Sequence, residues 1–348
     1  MGRFVLILGL LIGCLSFRTT IFACEQCRDY GTQPIELLSK FGELYKKSAT
    51  TKTGEQAAPN APEEPSLPVG ERTKWYFDTY FEWIQYKHQN IAKARAIIDL
   101  DRDTHAHVKE SDVTQRFAYA VTSDLQVSLS QGFRSLYMRE IEDEDLLGHK
   151  ERSSGATDID VGVQYRFLHQ NNDCGSPVDM QVFADVKAPT GKTNNRKPNN
   201  DLFETEDQPG TGSWNETIGI SVGKRWGLWG ASAAYAYTHK GEGSQDFKEG
   251  DVNRLSISAS RRISPDEWKC KIFLNQAVQG FIENRAVEDG VTSKDHGGQF
   301  IYAVPGVSVM PSSHLILTAT GSVPIYQQEV GFHQKDKFGV QFNVGVRF

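Results

Sequence analysis

Lys337-Phe338-Gly339-Val340-Gln341-Phe342-Asn343-Val344-Gly345-Val346-Arg347-Phe348 closes the chain and decides how the rest of it is read. Phe338, Val340, Phe342, Val344, Val346 and Phe348 form one series; Lys337, Gly339, Gln341, Asn343, Gly345 and Arg347 form the other. Side chains along a strand point alternately to its two faces, so this stretch predicts a strand with one wholly apolar face and one polar or small face. A soluble sandwich strand alternates too, but rarely over such a length and up to a terminal aromatic residue.

The same period extends upstream. From Lys74 onward, Trp75, Phe77, Phe81 and Trp83 share one face against Asp78, Tyr80 and Glu82 on the other. Further alternating segments run near 112–122, 125–138, 157–168, 178–189, 213–226, 228–239, 252–263, 268–283, 299–310, 315–326 and 336–348. Twelve strands result, an even number, as in bacterial single-chain transmembrane barrels. The connections sort by length as well. Ser123-Asp124, 169–177, Gly227, 264–267 and 311–314 are short, whereas 88–111, 139–156, 190–212, 240–251, 284–298 and 327–335 are mostly longer and polar. Barrels of this type alternate short periplasmic turns with long outer loops, and a sandwich has no reason to. The expected fold is all-β, a twelve-stranded antiparallel transmembrane β-barrel over 73–348. The closing stretch resembles the last strand of bacterial outer-membrane barrels, and that resemblance makes Phe348 part of an assembly signal read by the barrel-assembly machinery.

Composition narrows the alternatives. The chain has 348 residues; after residue 23 no apolar run reaches the eighteen or so that a membrane helix needs, and mean hydropathy is −0.46. A helical membrane protein is excluded; a barrel is not, because half of each strand is polar. A net charge of −6 argues against nucleic-acid binding, which needs a basic surface.

Arg3 followed by the apolar run Phe4 to Leu15 and small or apolar residues up to Ala23 reads as an export signal peptide over 1–23. Ile21-Phe22-Ala23-Cys24 suits either signal peptidase; cleavage after Ala23 is preferred, with a lipidated Cys24 as the alternative. Four cysteines then remain, Cys24, Cys27, Cys174 and Cys270, an even number in an oxidising compartment and candidates for disulfide or redox chemistry. Arg28 follows Cys27, so no C-x-x-C-H haem attachment is present, and no second close pair completes a zinc site. No cofactor is expected. Thr32-Gln33-Pro34 begins a short helix carrying Ile35, Leu38, Phe41, Leu44 and Tyr45 on one stripe, and 48–70 reads as a Pro-rich linker. Residues 24–72 are thus expected to form a periplasmic N-terminal segment, with 24–48 able to meet a periplasmic partner.

The polar series places Asp78, Glu82, Arg116, Arg134, Asp158, Asp160, Arg166, Asp185, Lys187, Arg254, Lys271 and Arg347 on the lumen face. Facing outer-membrane lipid, each Arg or Lys would cost about 2–4 kcal/mol at mid-membrane. Arg116, Arg134 and Arg166 are expected to find partners in Asp158 and Asp160. Asp99, Asp101, Asp103, His105 and His107 would share a face if extended and form a weak metal candidate against the plainer reading of a solvated loop. Glu140, Glu142, Asp143, Glu144 and Asp145 read as solvated charge. His149, His169, His239, His296, His314 and His333 fall in or beside connections without a Ser or acid motif, so no enzyme is expected.

Several segments resemble one family. Gly155-Ala156-Thr157-Asp158-Ile159-Asp160-Val161-Gly162-Val163-Gln164-Tyr165-Arg166-Phe167 matches its G-x-x-D-x-x-x-G-x-x-Y-R-F strand. Lys187-Ala188-Pro189-Thr190-Gly191 matches a P-T-G strand end, Gly210-Thr211-Gly212-Ser213-Trp214 a G-T-G-S-W strand start, and Val323-Pro324-Ile325-Tyr326 a penultimate strand. The family is the outer-membrane transporters labelled for the meta-pathway of phenol degradation. The resemblance covers about residues 74–348 and implies a porin-like barrel passing small, often aromatic, solutes. The Cys24 and Cys27 extension departs from that pattern. It looks more like the start of some barrels that sheathe multihaem cytochromes, which supplies the alternative function: a docking barrel for a periplasmic or cytochrome-type redox partner.

Overall fold

Strict alternation of apolar with polar or small residues produces strands, and the strands produce a closed wall. The computed structural model describes residues 74–348 apart from 88–104, 141–148, 171–177, 294–295 and 330–334. In chain order the elements are β1 (Trp75–Tyr86), β2 (His105–Ala120), β3 (Leu125–Glu140), β4 (His149–Ala156), β5 (Ile159–Gln170), β6 (Val178–Ala188), β7 (Asn215–Trp226), β8 (Trp229–Lys240), β9 (Phe247–Lys248), β10 (Val252–Arg262), β11 (Lys271–Glu283), β12 (Val287–Glu288), β13 (Val291–Thr292), β14 (Gly298–Ser312), β15 (Leu315–Glu329) and β16 (Asp336–Arg347). β9, β12 and β13 form a small sheet among the outer loops. β4 and β5 together make one wall strand against β3, so the wall has twelve strands.

Every wall strand pairs antiparallel with its neighbours, and β1 pairs with β16 to close the ring, from Tyr76↔Arg347 to Gln85↔Phe338. The seam is tied at its lower end by Phe348 N donating to Trp75 O at 3.0 Å, while Phe348 itself is exposed. Closure at the β1–β16 seam pairs the edges that would otherwise face hydrocarbon, and the other side of β4 is met by the β6–β7 connection through Lys192 N and Ala156 O at 3.0 Å.

The wall sorts its side chains by chemistry. Phe81, Phe117, Leu129, Phe133, Val161, Ile218, Val278 and Phe342 are exposed on the outside, while the neighbouring Asp78, Arg116, Ser130, Arg134, Asp160, Thr217, Gln279 and Asn343 are buried inside. An apolar band around a polar interior is the surface that lipid demands. This is an outer-membrane barrel. Aromatic residues mark the end that carries the short turns: Trp75 lies 4.5 Å from Tyr119 between ring centroids, and Arg261 stands 5.0 Å over Trp229.

One irregularity positions the site. β3 pairs Phe133↔Ala156 above and Ser130↔Asp160 below, so β3 spends two residues where the opposite strand spends three. The extra residue is a β-bulge, and it turns both Thr157 and Asp158 inward. Thr157 fastens the bulge: its N–H donates to Gly132 O at 2.9 Å, and its Oγ1 accepts from Gly132 N at 2.8 Å.

Strand boundaries agree with the sequence reading except at the long-loop rim. β2 begins at His105 rather than near 112, and β4 occupies 149–156, which the alternation alone left in a connection. The expected signal peptide, the expected N-terminal segment with its helix, Cys24, Cys27, Cys174, Asp99, Asp101, Asp103 and Glu142 to Asp145 lie outside the described residues.

Candidate functional site

The bulge delivers Asp158 to a place where the connection between β6 and β7 can reach it. Its Oδ2 lies 3.0 Å from Lys187 Nζ, and both side chains are buried. Thr211 donates to the same Oδ2 through its N at 2.9 Å and its Oγ1 at 3.0 Å, and Gly191 N donates to Oδ1 at 2.7 Å. One carboxylate therefore binds both ends of the 189–214 connection. Gly191 and Gly210 cross in contact: a Cβ on Gly210 would stand 2.6 Å from Gly191 backbone atoms, and one on Gly191 would stand 2.7 Å from Gly210 Cα. Only residues without a Cβ permit that crossing. Lys192 continues the ladder, its N donating to Ala156 O at 3.0 Å and its O accepting from Gly210 N at 2.9 Å. The Gly155–Asp160, Pro189–Gly191 and Gly210–Trp214 segments, far apart in sequence, thus form one latch.

Past the latch the connection packs inward. Phe203, Thr205, Asp207 and Gln208 are buried, and Phe203 joins Leu136 and Met138 of β3 in an apolar cluster. Gln208 Nε2 donates to Phe203 O at 2.9 Å and to Asn195 O at 3.0 Å, which holds the fold of the segment. Two other outer loops grip it. Thr205 Oγ1 donates to Ser244 O at 2.8 Å, Gln245 Nε2 donates to Phe203 O at 3.0 Å, and Glu206 pairs with His296. The Lys240–Glu249 ion pair is buried beside them. Three outer loops interlock over the long-loop end.

The remaining wall carries a second set of charges. Arg116 Nη1 donates to Asp78 Oδ2 at 2.9 Å across β1 and β2. Arg134 Nε lies 3.0 Å from Glu110 Oε1 and 3.5 Å from Asp112 Oδ2, and Tyr86 OH donates to Glu110 Oε2 at 2.7 Å. Beside this group, Tyr302 OH donates to Asp336 Oδ2 at 2.8 Å, and Asp336 is the register partner of Tyr86. Rings share the interior with these charges: Phe281 and Tyr302 meet edge to face at 5.9 Å, and the Arg254 guanidinium sits 4.9 Å over Phe281. Arg347 holds a similar position 5.7 Å from the Tyr76 ring.

Of the sequence-derived lumen residues, Asp78, Glu82, Arg116, Arg134, Asp158, Asp160, Asp185, Lys187, Arg254 and Arg347 are buried on the inward face. Arg166 and Lys271 sit at the short-turn end. Arg166 Nη2 pairs with Asp124 at 2.9 Å, and Lys271 Nζ donates to Asp266 O at 2.9 Å. Partial burial pushes the Asp124 carboxyl up, but hydrogen bonds from Arg166 and Ser123 outweigh it and hold the group below its ordinary range.

The expected partnership of Asp158 differs. None of the three arginines pairs with Asp158; Lys187 takes that carboxylate, because the bulge aims it toward β6 and away from β3. The sequence reading does not name Glu110, Lys240, Glu249 or Asp336, and names Thr211 only within the G-T-G-S-W strand start. Glu110 had a signal, since it lies in phase with Asp112 and Arg116 once β2 is extended; Glu249 and Thr211 lie in loops, where alternation says nothing. Cys270 is a free, half-buried thiol among the described residues, and the other candidate cysteines lie outside them. His105 and His107 fall on β2, and no group of metal-ligating side chains occurs among the described residues.

No family model matches the chain. Among solved structures, an outer-membrane channel from Pseudomonas putida F1 superposes with a TM-score of 0.55 at 13% identity, covering 84% of this chain and 100% of that one. The chain shares the β-barrel fold of that channel. The β domain of the Bordetella autotransporter BrkA matches at a TM-score of 0.41 and 10% identity over 79% of this chain and 100% of that one. The CymD monoaromatic hydrocarbon channel matches at 0.37 and 8%, over 80% of this chain and 90% of that one. At such identities the likeness concerns the barrel architecture.

Proposed function

We propose that the barrel passes small solutes, aromatic ones included, passively through its charge-lined interior, with the β6–β7 connection narrowing the mouth. The observation that carries this reading is the enclosed face itself. Burying an ion costs several kcal/mol even after relaxation, and similarly sized apolar side chains would fill a purely structural lumen at no such cost. Here ion pairs stand beside aromatic rings, a lining that can hold planar rings by stacking and polar groups by hydrogen bonds.

Among the described buried residues, carboxylates outnumber Lys and Arg side chains. Field inside a low-dielectric wall is weakly screened, so an acid surplus favours cations and neutral solutes over anions. The motifs resembling the transporters labelled for the meta-pathway of phenol degradation support aromatic compounds as part of the range. Passage by diffusion asks for no catalytic group. Swelling of liposomes containing the purified protein tests the reading: phenol and small cationic solutes should enter faster than anionic solutes of equal size. Rates equal to those of protein-free liposomes, in the native protein and in Asp158→Asn alike, would refute it.

A further inference from the structure

We propose that the outward face of β1 to β4, at its long-loop end, binds the phosphorylated glycolipid of the outer leaflet through Lys109, Lys150 and Arg152. This inference rests on the placement of the barrel in the outer membrane and is independent of solute passage.

Register fixes the face. Gln85, Lys109, Tyr137 and Arg152 lie in one row across the four strands, while their sequence neighbours Ile84, Glu110, Leu136, Glu151 and Ser153 are buried inside. Lys150 is two residues from Arg152 on the same strand and shares its face. All three cationic residues are exposed.

Height follows from strand geometry. Tyr119 packs on Trp75 at the short-turn end, and Lys109 stands ten residues further along β2. At about 3.3 Å per residue and a tilt of about 40°, that is about 25 Å, the height of the apolar band. Phe117 and Val113 lie exposed between them. The cationic row therefore sits where outer-leaflet headgroups begin.

Chemistry then selects the ligand. Lys109 and Arg152 are separated by two strand spacings, about 10 Å, and Lys150 lies about 7 Å from Arg152. Three positive charges this close repel one another. Among the described outward positions of these strands above Phe81, Val113, Phe133 and Ala156, none is acidic, so the wall supplies no counter-charge on that face. Tyr137, with its ring 5.6 Å from Lys109 Nζ, and Trp83 one row below add aromatic surface against which a sugar and the first acyl carbons can pack. Arg152 Nε donates to Ser135 Oγ at 3.0 Å, which steadies the guanidinium. A glucosamine disaccharide carrying a phosphate at each end, with its acyl chains pointing down the apolar wall, matches the charge, spacing and depth. The patch is local: outward positions toward the rim on the β7 and β8 side are Glu216 and His239.

The test uses delipidated full-length protein titrated with bis-phosphorylated lipid A and with its dephosphorylated form, with bound lipid read by native mass spectrometry. The triple variant Lys109→Gln, Lys150→Gln, Arg152→Gln should bind the phosphorylated lipid at least about tenfold more weakly than the native protein. It should stay heat-modifiable, because the changed side chains lie on the exposed outer face and the buried interior contacts are untouched. Lys109→Arg with Lys150→Arg should retain binding, and Lys224→Gln at the opposite end should leave it unchanged. Equal affinity of the triple and native proteins, or equal affinity of the native protein for phosphorylated and dephosphorylated lipid, would overturn the proposal.

Discussion

Lys187 Nζ lies 3.0 Å from Asp158 Oδ2 inside the barrel, and the same carboxylate accepts hydrogen bonds from both ends of the β6–β7 connection at Gly191 and Thr211. A single charge thereby joins two wall strands to the β6–β7 connection. Removing one partner of a buried ion pair leaves the other uncompensated, at about 3–5 kcal/mol. Asp158→Ala should accordingly lower the temperature at which the folded, heat-modifiable band disappears, and Lys187→Met combined with it should recover part of the loss.

The crossing of Gly191 over Gly210 gives a second handle on the latch, one that leaves every charge in place. A methyl on Gly210 meets backbone rather than a flexible side chain, so the loop has to move. Gly210→Ala should cost about 1–3 kcal/mol by overpacking. Limited proteolysis within 190–210 should become faster than in the native protein, while the strands stay protected.

Arg134 and Glu110 should behave as a coupled pair. Each alone is buried with its partner 3.0 Å away, and Tyr86 adds a hydrogen bond to the same carboxylate. Arg134→Gln and Glu110→Gln should each destabilise the barrel more than half as much as the two together. A double-mutant cycle on urea unfolding measures the coupling, expected to exceed about 1 kcal/mol.

Acid sensitivity of the short-turn end follows from Asp124. Its folded carboxyl titrates below the ordinary 3.8, so the ionised group stabilises the fold above that pH, and the contribution is lost as pH falls through the folded value. The melting difference between native protein and Asp124→Asn should be constant from about pH 5 to 7 and should shrink below about pH 4.

Much of this was legible in the chain, and the reason is periodicity. The unbroken alternation of Phe338 to Phe348, repeated in eleven other segments, fixes both the strands and the side that meets lipid. Inward positions such as Asp78, Arg116 and Arg134 follow from phase alone. Partners do not follow, because pairing depends on register and on the one-residue bulge at Thr157–Asp158, which turns a carboxylate toward β6. Loop residues carry no period, so Glu249, the role of Thr211 and the inward fold of 189–214 are not legible, although the motifs containing Gly191 and Gly210–Thr211 mark where that fold is anchored. The rim was misread where β2 continues past Asp112 to Glu110 in the same phase.

The central claim, a conducting interior governed by the Asp158 latch, is tested most directly by planar-bilayer recording of the native protein and Asp158→Asn in a potassium chloride gradient. The account predicts a small cation-selective conductance in the native protein, from the surplus of buried carboxylates, and a larger conductance in the variant as the β6–β7 connection loosens. Reversal at the chloride potential, or identical conductance in both proteins, would contradict it.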